Sequence, residues 1–305
     1  MSQNFLRDPR GVQSFLQALP EPDGLPAIEV GTGDGALTVR LAAHFGTLTT
    51  WELDEAVAAT ARRRIGGAPG IRFETGDFLA SRPPRTPFHL AGNIPFGQTT
   101  TIVTWSLAAA SLQSATLITQ WEFARKRSGD YGRWTKTTVL SWPWFAWDLG
   151  DRIARRAFAP VPATDAGVLR LTRRAVPLLP LADRARWERD VEAAFLGKGG
   201  SLHASLSEFH RRADLDTAFT RAGLDRDVVV GFVHPDELVA VVRALAGPTR
   251  PAGPARGRPS QGRPPQGRPA QDRPAQDGPA QGRPAQGGSA QGGSAGPRRG
   301  RSRPR

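Results

Sequence analysis

Cysteine is absent from all 305 residues. That excludes disulfide frameworks, thiolate nucleophiles, iron–sulfur clusters and Cys-based zinc sites together. The five histidines, His44, His89, His203, His210 and His234, are scattered with no H-x-x-x-H pair, so no metal is expected. Lysine is scarce as well: Lys126, Lys136 and Lys198 are three of 41 basic residues, set against 28 acidic ones. An excess carried almost wholly by arginine suits planar, bidentate anions such as phosphate. A solvated basic surface is the plainer reading, so charge alone leaves nucleic-acid binding open. Long apolar runs are missing too. The opening MSQNFLRDPRG has no apolar secretory core, and the uncharged stretch 86–121 is broken by Pro87, Gly92, Pro95 and Gly97. That stretch is expected to be buried core, and the protein soluble and cytoplasmic with no membrane partner.

Composition changes near residue 250. Residues 251–305 hold eleven arginines, two aspartates and no Phe, Trp or Tyr, and repeat a five-residue Gly-Arg-Pro-Ala-Gln unit. A segment so poor in apolar side chains cannot offset its ordering entropy, which predicts a disordered Arg/Gly/Pro-rich tail over 249–305. Its balance is +9 of the chain's +13, leaving +4 for the remainder.

The remainder alternates apolar runs with helical ones. Strands are predicted at 26–31, 47–53, 71–74, 88–91 and 115–119, and helices at 36–45, 55–65 and 99–112. That rhythm indicates a doubly wound, Rossmann-like α/β parallel sheet, whose ligands bind at the carboxyl ends of the strands. After Leu171 the pattern is helical only, with helices predicted at 181–196, 202–212, 215–222 and 235–246. The expected division is an α/β domain over 1–176 and a small all-α domain over 177–248.

The strand ends carry the chemistry. Glu29-Val30-Gly31-Thr32-Gly33-Asp34-Gly35 reads G-x-G-x-G, where Gly31 and Gly33 allow a tight turn and close approach to a ligand; a plain strand–helix turn fits it equally. Glu52 ends the second strand, where a carboxylate can accept both ribose hydroxyls of an adenosine. Asp77 ends the third, where it can accept from an adenine amino group or simply cap a turn. Together they indicate an adenosine cofactor, either a nicotinamide dinucleotide or S-adenosylmethionine. Asn93-Ile94-Pro95-Phe96 at the fourth strand end decides for the latter. Methylating the exocyclic nitrogen of adenine requires acceptors that hold both its hydrogens. The Asn93 amide oxygen and the Ile94 carbonyl supply them, with Pro95 fixing the loop and Phe96 stacking on an extruded base.

With these residues in place, the sequence resembles the ribosomal RNA adenine N6-methyltransferases, from Ser2 to about Arg174 and more weakly beyond. Ser2-Gln3-Asn4-Phe5-Leu6 is similar to the family's Q-N-F opening, which implies that Gln3, Asn4 and Leu6 join Gly31, Gly33, Glu52, Asp77 and Asn93 around the cofactor. Phe158-Ala159-Pro160-Val161-Pro162 resembles its F-x-P-x-P motif, implying that Phe158 walls the base pocket. Residues 195–206 resemble a basic element of its C-terminal domain, with Gly199 and Gly200 where more basic residues are common. The Asn93–Phe96 loop, the segment Trp142-Pro143-Trp144-Phe145 and the tail are most similar to the Erm type. That implies methylation of one adenine in the peptidyl-transferase region of 23S rRNA, naked or in early assembly, and resistance to macrolides, lincosamides and streptogramin B. The small-subunit dimethyladenosine transferases, which usually read N-L-P-Y, are the alternative. DNA adenine and protein glutamine methyltransferases generally carry Pro where Ile94 stands. A non-catalytic RNA-binding protein on this scaffold is expected to lose cofactor residues that are present here.

Residues 122–136 mix basic, glycine and aromatic residues. Arg125, Lys126, Arg127, Arg133 and Lys136 are candidate phosphate contacts, and Trp134 a candidate exposed ring; Trp121, Trp142, Trp144 and Trp147 are expected in the core. The protein is expected to act as a monomer.

Overall fold

Apolar, β-branched runs bounded by glycine or acid fold as strands here, and the amphipathic runs between them as helices. The computed structural model describes residues 4–246; Gln3 and the expected tail lie outside the described residues. The chain opens with strand β1 (Phe5–Leu6) and helix α1 (Pro9–Gln17), then alternates β2 (Ala27–Val30), α2 (Thr38–Phe45), β3 (Leu48–Glu52), α3 (Glu55–Ile65) and β4 (Ile71–Thr75). The middle of the chain holds β5 (Phe88–Asn93), α4 (Thr99–Ala108), β6 (Leu112–Gln120), α5 (Trp121–Ser128) and α6 (Lys136–Ser141). It continues through β7 (Phe145–Ile153), β8 (Phe158–Ala159) and β9 (Ala166–Arg173). Helices α7 (Arg184–Leu196), α8 (Leu202–Leu206), α9 (Arg212–Ala222) and α10 (Pro235–Leu245) close the described chain.

Seven strands form one sheet in the order β4-β3-β2-β5-β6-β9-β7. From β4 to β6 all neighbours are parallel. The chain builds outward from β2 in one direction and then from β5 in the other, so β2 and β5 flank the switch point where such sheets bind ligands. The uncharged stretch 86–121 is β5, α4 and β6; β5 and β6 lie in the buried middle of the sheet, and no membrane span is needed to account for it. No helix among the described residues is long and apolar enough to cross a membrane.

Several predicted elements change. The sheet is not wholly parallel: β9 runs antiparallel to both β6 and β7. After β7 the connection 154–165, which includes β8, turns the chain back so that β9 pairs antiparallel with it. The helix predicted over 99–112 ends at Ala108, and Leu112 already belongs to β6, where it is fully buried. The helix predicted over 202–212 stops at Leu206, and Arg212 starts the next one.

The sheet is covered on both faces. One apolar cluster holds Phe15, Leu41, Phe45, Leu48, Ile118 and Val168. The other runs from Leu90, Leu112 and Leu171 into Trp187, Val191, Phe219 and Leu238, so the C-terminal helices share a core with the sheet. Each such side chain, fully buried, contributes about 1.5–3 kcal/mol. Indole donors stitch the same junction: Trp187 Nε1 donates to the Leu140 carbonyl at 2.9 Å, and Trp142 Nε1 to Asp236 at 2.7 Å.

Candidate active site

The glycine turn follows β2 directly. Gly31 and Thr32 both donate their N–H to the Trp51 carbonyl, at 2.9 and 3.0 Å, which ties the turn to the end of β3. Next to it, a Cβ on Gly92 would stand 2.6 Å from the Val30 carbonyl oxygen, so only glycine lets β5 close on β2 here. A cavity of about 630 Å³ opens along this edge. Asn4, Gly31, Gly33, Glu52, Asp77, Asn93, Ile94, Pro95 and Phe96 all line it, so nine residues singled out from sequence converge on one space.

Glu52 is nearly buried, and its two oxygens accept from the Gly33 N–H at 2.9 Å and the Asp54 N–H at 3.1 Å. The glycine turn therefore sets the carboxylate's orientation. Asp77 caps the short turn Phe78–Ala80 by accepting from the Leu79 N–H through Oδ1 at 2.9 Å. It both caps a turn and lines the cavity. Asn93 donates Nδ2 to the Asn4 carbonyl at 2.6 Å, and a carbonyl partner requires the amide nitrogen on that side. The oxygen of the Asn93 amide is thereby fixed as its acceptor end.

Residues not singled out from sequence complete the walls. Phe5, Trp51, Leu53, Phe78 and Ile102 supply apolar walls between which the Glu52 and Asp77 carboxylates lie. Flat apolar walls with carboxylates at adjacent strand ends fit the adenosine of S-adenosylmethionine. Phe5 packs on the glycine turn, where a Cβ on Gly33 would lie 3.0 Å from its ring. Arg7 and Arg64 both pair with Asp34, so the N-terminal segment is strapped across the turn. Only the aromatic in the opening motif hinted at Phe5.

Two expected members do not reach the cavity. Leu6 and Phe158 face each other in the β1–β8 pair, and both are buried in the apolar cluster below. Phe158 is 2 % exposed and does not line this cavity; it pairs with the strand that carries Phe5, the residue after Asn4. Gln3 lies outside the described residues.

Beneath the turn lies Glu29, which sequence reasoning passed over. It is fully buried. Its Oε2 accepts from Thr38 at 2.7 Å and Thr50 at 2.6 Å, while Oε1 has no partner among the described residues. Thr50 in turn accepts from Thr32 of the glycine turn at 2.6 Å. Burial pushes the Glu29 carboxyl up to about 7 against the two threonine bonds, with the charges of Glu52 and Asp34 adding to the rise.

The basic segment divides differently. Arg125 pairs with Asp130, and Lys136 with Glu192 at 2.8 Å. Arg127 donates to Thr135 at 2.8 Å, and burial lowers its guanidinium below the ordinary value. Trp134 is not an open ring: it packs edge-on against Trp142 and His234, with centroids 5.2 and 4.9 Å apart. Lys126 and Arg133 remain exposed, with no carboxylate partner among the described residues. Trp142, Trp144 and Trp147 are buried and Trp121 half-buried. In the 195–206 element Lys198 pairs with Glu208 at 2.9 Å, and Gly199 and Gly200 make the turn before Ser201, the cap of α8.

A switch-point cavity with a glycine turn, strand-end carboxylates and an Asn-Ile-Pro-Phe loop defines an α/β methyltransferase acting on an amino nitrogen. The chain belongs to the ribosomal RNA adenine dimethylase family, whose profile matches residues 1–246. It is 49 % identical over 258 residues to an rRNA adenine N-6-methyltransferase of Streptomyces fradiae, covering 83 % of this chain and 80 % of that one. It is 32 % identical over 259 residues to the mycinamicin-resistance protein MyrB of Micromonospora griseorubida, covering 83 % and 81 %. The crystal structure of the 23S rRNA methyltransferase ErmE superposes with a TM-score of 0.77 at 40 % identity, covering 80 % of this chain and all of that one.

Proposed function

We propose that this protein methylates N6 of one adenine in the peptidyl-transferase region of 23S rRNA, using S-adenosylmethionine, and so confers macrolide, lincosamide and streptogramin B resistance. S-adenosylmethionine supplies, when bound, an electrophilic methyl on a sulfonium sulfur. Glu52 would accept from the ribose hydroxyls and Asp77 from the adenine amino group of that cofactor. Asn93 Oδ1 and the Ile94 carbonyl accept the two hydrogens of the target amine, and Phe96 stacks on its ring. As the nitrogen takes the methyl, the methyl–sulfur bond breaks with its electron pair left on a neutral thioether. One of the two amine protons, now acidic, passes to water, so no strong base is required and the rate comes from proximity and orientation. The observation that carries this reading is the Asn93–Asn4 bond, which leaves an amide oxygen as the acceptor beside the cavity.

The ErmE likeness supports the 23S target, and the likeness to MyrB supports resistance. We assign RNA contact to the exposed part of the 122–136 segment and to the helical part, 177–248. The protein acts as a monomer in the cytoplasm, where rRNA is made and assembled. Naked 23S and 16S rRNA, methylated with labelled cofactor and mapped by primer extension, test it. Label at one 23S adenine is expected; label confined to 16S rRNA would move the protein to the small-subunit enzymes and leave the chemistry standing.

A further inference from the structure

Among the described residues three aromatic rings are exposed, Tyr131, Phe209 and Phe232, at 39, 47 and 53 %. Every one carries an arginine over its face: Arg125 lies 4.1 Å from the Tyr131 centroid, Arg133 4.7 Å from that of Phe232, and Arg189 5.2 Å from that of Phe209. The Arg189 guanidinium is committed to the fully buried Asp190, to which it donates at 3.0 and 2.8 Å. Arg125 engages Asp130 through Nε alone, and Arg133 has no carboxylate partner among the described residues. The Phe232 pair thus keeps a cation with no carboxylate partner among the described residues, and the Tyr131 pair one shared with a single, half-exposed carboxylate.

These two pairs are joined. The Trp134 N–H donates to the Gly231 carbonyl at 2.7 Å, which links the loop bearing Tyr131 and Arg133 to the turn bearing Phe232. The loop is fixed from inside. Gly129 ends α5 in the left-handed region (φ +78°), and a Cβ there would stand 2.4 Å from the Trp134 ring. Thr135 caps α6 on the far side. Phe232 is flanked by the buried Val230 and Val233, so the core takes the valines and leaves this ring outside. Tyr131 and Phe232 thus present two exposed rings, each with a guanidinium over it, on segments joined by one backbone hydrogen bond.

We propose that Tyr131–Arg125 and Phe232–Arg133 form a stacking platform for unpaired bases of RNA. The inference rests on the rRNA reading above and names a second contact for that substrate. Unpaired bases stack on aromatic faces and on guanidinium planes, whereas an A-form duplex keeps its bases stacked inside. The cations favour a polyanion over a neutral apolar partner. The platform follows α5, which starts at the carboxyl end of β6, where Ile118 is the register partner of Asn93. It therefore meets RNA on a segment that leaves the same sheet edge as the acceptor loop.

The test uses the full chain, an RNA hairpin with an unpaired loop, and a blunt RNA duplex, with affinity read by fluorescence anisotropy at fixed salt. The double variant Tyr131→Leu/Phe232→Leu is expected to weaken hairpin binding about tenfold or more and to change duplex binding less than about twofold. Tyr131→Phe/Phe232→Tyr, which keeps both rings, is expected to bind like the parent. Phe209→Leu is expected to leave the hairpin unaffected. Equal affinity of parent and double variant for the hairpin overturns the platform, as does an equal loss on hairpin and duplex. Methyl transfer by the parent chain to naked rRNA reports separately on the underlying reading. If transfer fails while hairpin discrimination holds, the function falls and the platform stands.

Discussion

The strand-end cavity and the 122–136 segment use their polar groups in opposite ways. At the cavity, each functional group makes one or two internal bonds that set its direction: Glu52 to two backbone N–H groups, Asp77 to one, Asn93 to the Asn4 carbonyl. In the segment, most side chains satisfy the protein itself, with Arg125 on Asp130, Arg127 on Thr135, Lys136 on Glu192 and Trp134 between two rings. The difference is geometric. A parallel sheet gathers strand ends into one place whatever the loops do, whereas a basic helix and loop can close their charges on nearby acids. Charge type alone therefore identifies a partner poorly, and charge at a strand end identifies one well.

The sharpest break in that contrast is Asn93→Ala. If the amide oxygen is the acceptor for the target amine, turnover is expected to fall by about 10²–10³-fold or more. Cofactor affinity, measured by calorimetry, should stay within a few-fold, because Glu52 and Asp77 are untouched. Near-parent single-turnover methylation of 23S rRNA would remove Asn93 from the chemistry.

Glu29 gives the next effect, on stability. Its folded carboxyl titrates at about 7 and its unfolded one at 4.5. A raised folded value means the stabilising contribution is complete below the unfolded value and is lost as pH rises through about 7. Between pH 5 and pH 8 the Glu29 carboxyl should withdraw roughly 2–3 kcal/mol. Urea unfolding of the parent and of Glu29→Gln at both pH values checks this. The parent should lose that much more stability than the variant, and parallel curves would show that Glu29 is charged throughout. Phe158→Leu tests the cavity's lower boundary with a smaller change. As a core residue it should lower stability by about 1 kcal/mol and leave turnover intact; a fall in turnover without loss of stability would return Phe158 to the base pocket.

What could be read from the chain follows the same contrast. The parallel half of the sheet was legible because every strand and helix keeps its own period and ends in a marked residue: Gly31, Glu52, Asp77, Asn93. The antiparallel half was not. In β7 the register shifts between Leu149 and Arg152, and the irregularity at Gly150 and Asp151 breaks the alternation that would announce a strand. The β1–β8 pair is two residues long and joins positions about 150 apart, so nothing local foretells that Leu6 and Phe158 bury each other. The Asn93–Asn4 bond spans 89 residues and depends on that same pair. Glu29 stood in plain view within the glycine motif, but its burial follows from β2 lying between β3 and β5, which only the topology decides.

The finest distinction lies inside the basic segment, between neighbours one residue apart. Arg127 is half-buried, bonded to the residue that caps α6 and stacked over Phe123 at 5.0 Å, so Arg127→Ala removes packing and a hydrogen bond together. About 1–2 kcal/mol of stability should go with it, while RNA affinity of the folded fraction changes little. Lys126 is exposed and has no such tie. If it meets a phosphate, Lys126→Ala should leave thermal unfolding unchanged and reduce the slope of log affinity against log salt by about 0.7–0.9. Affinity titrations at three salt concentrations and a melting curve for each variant separate the two roles. An unchanged slope for Lys126→Ala would extend self-satisfaction to the whole segment and leave RNA contact there to the arginine-capped rings.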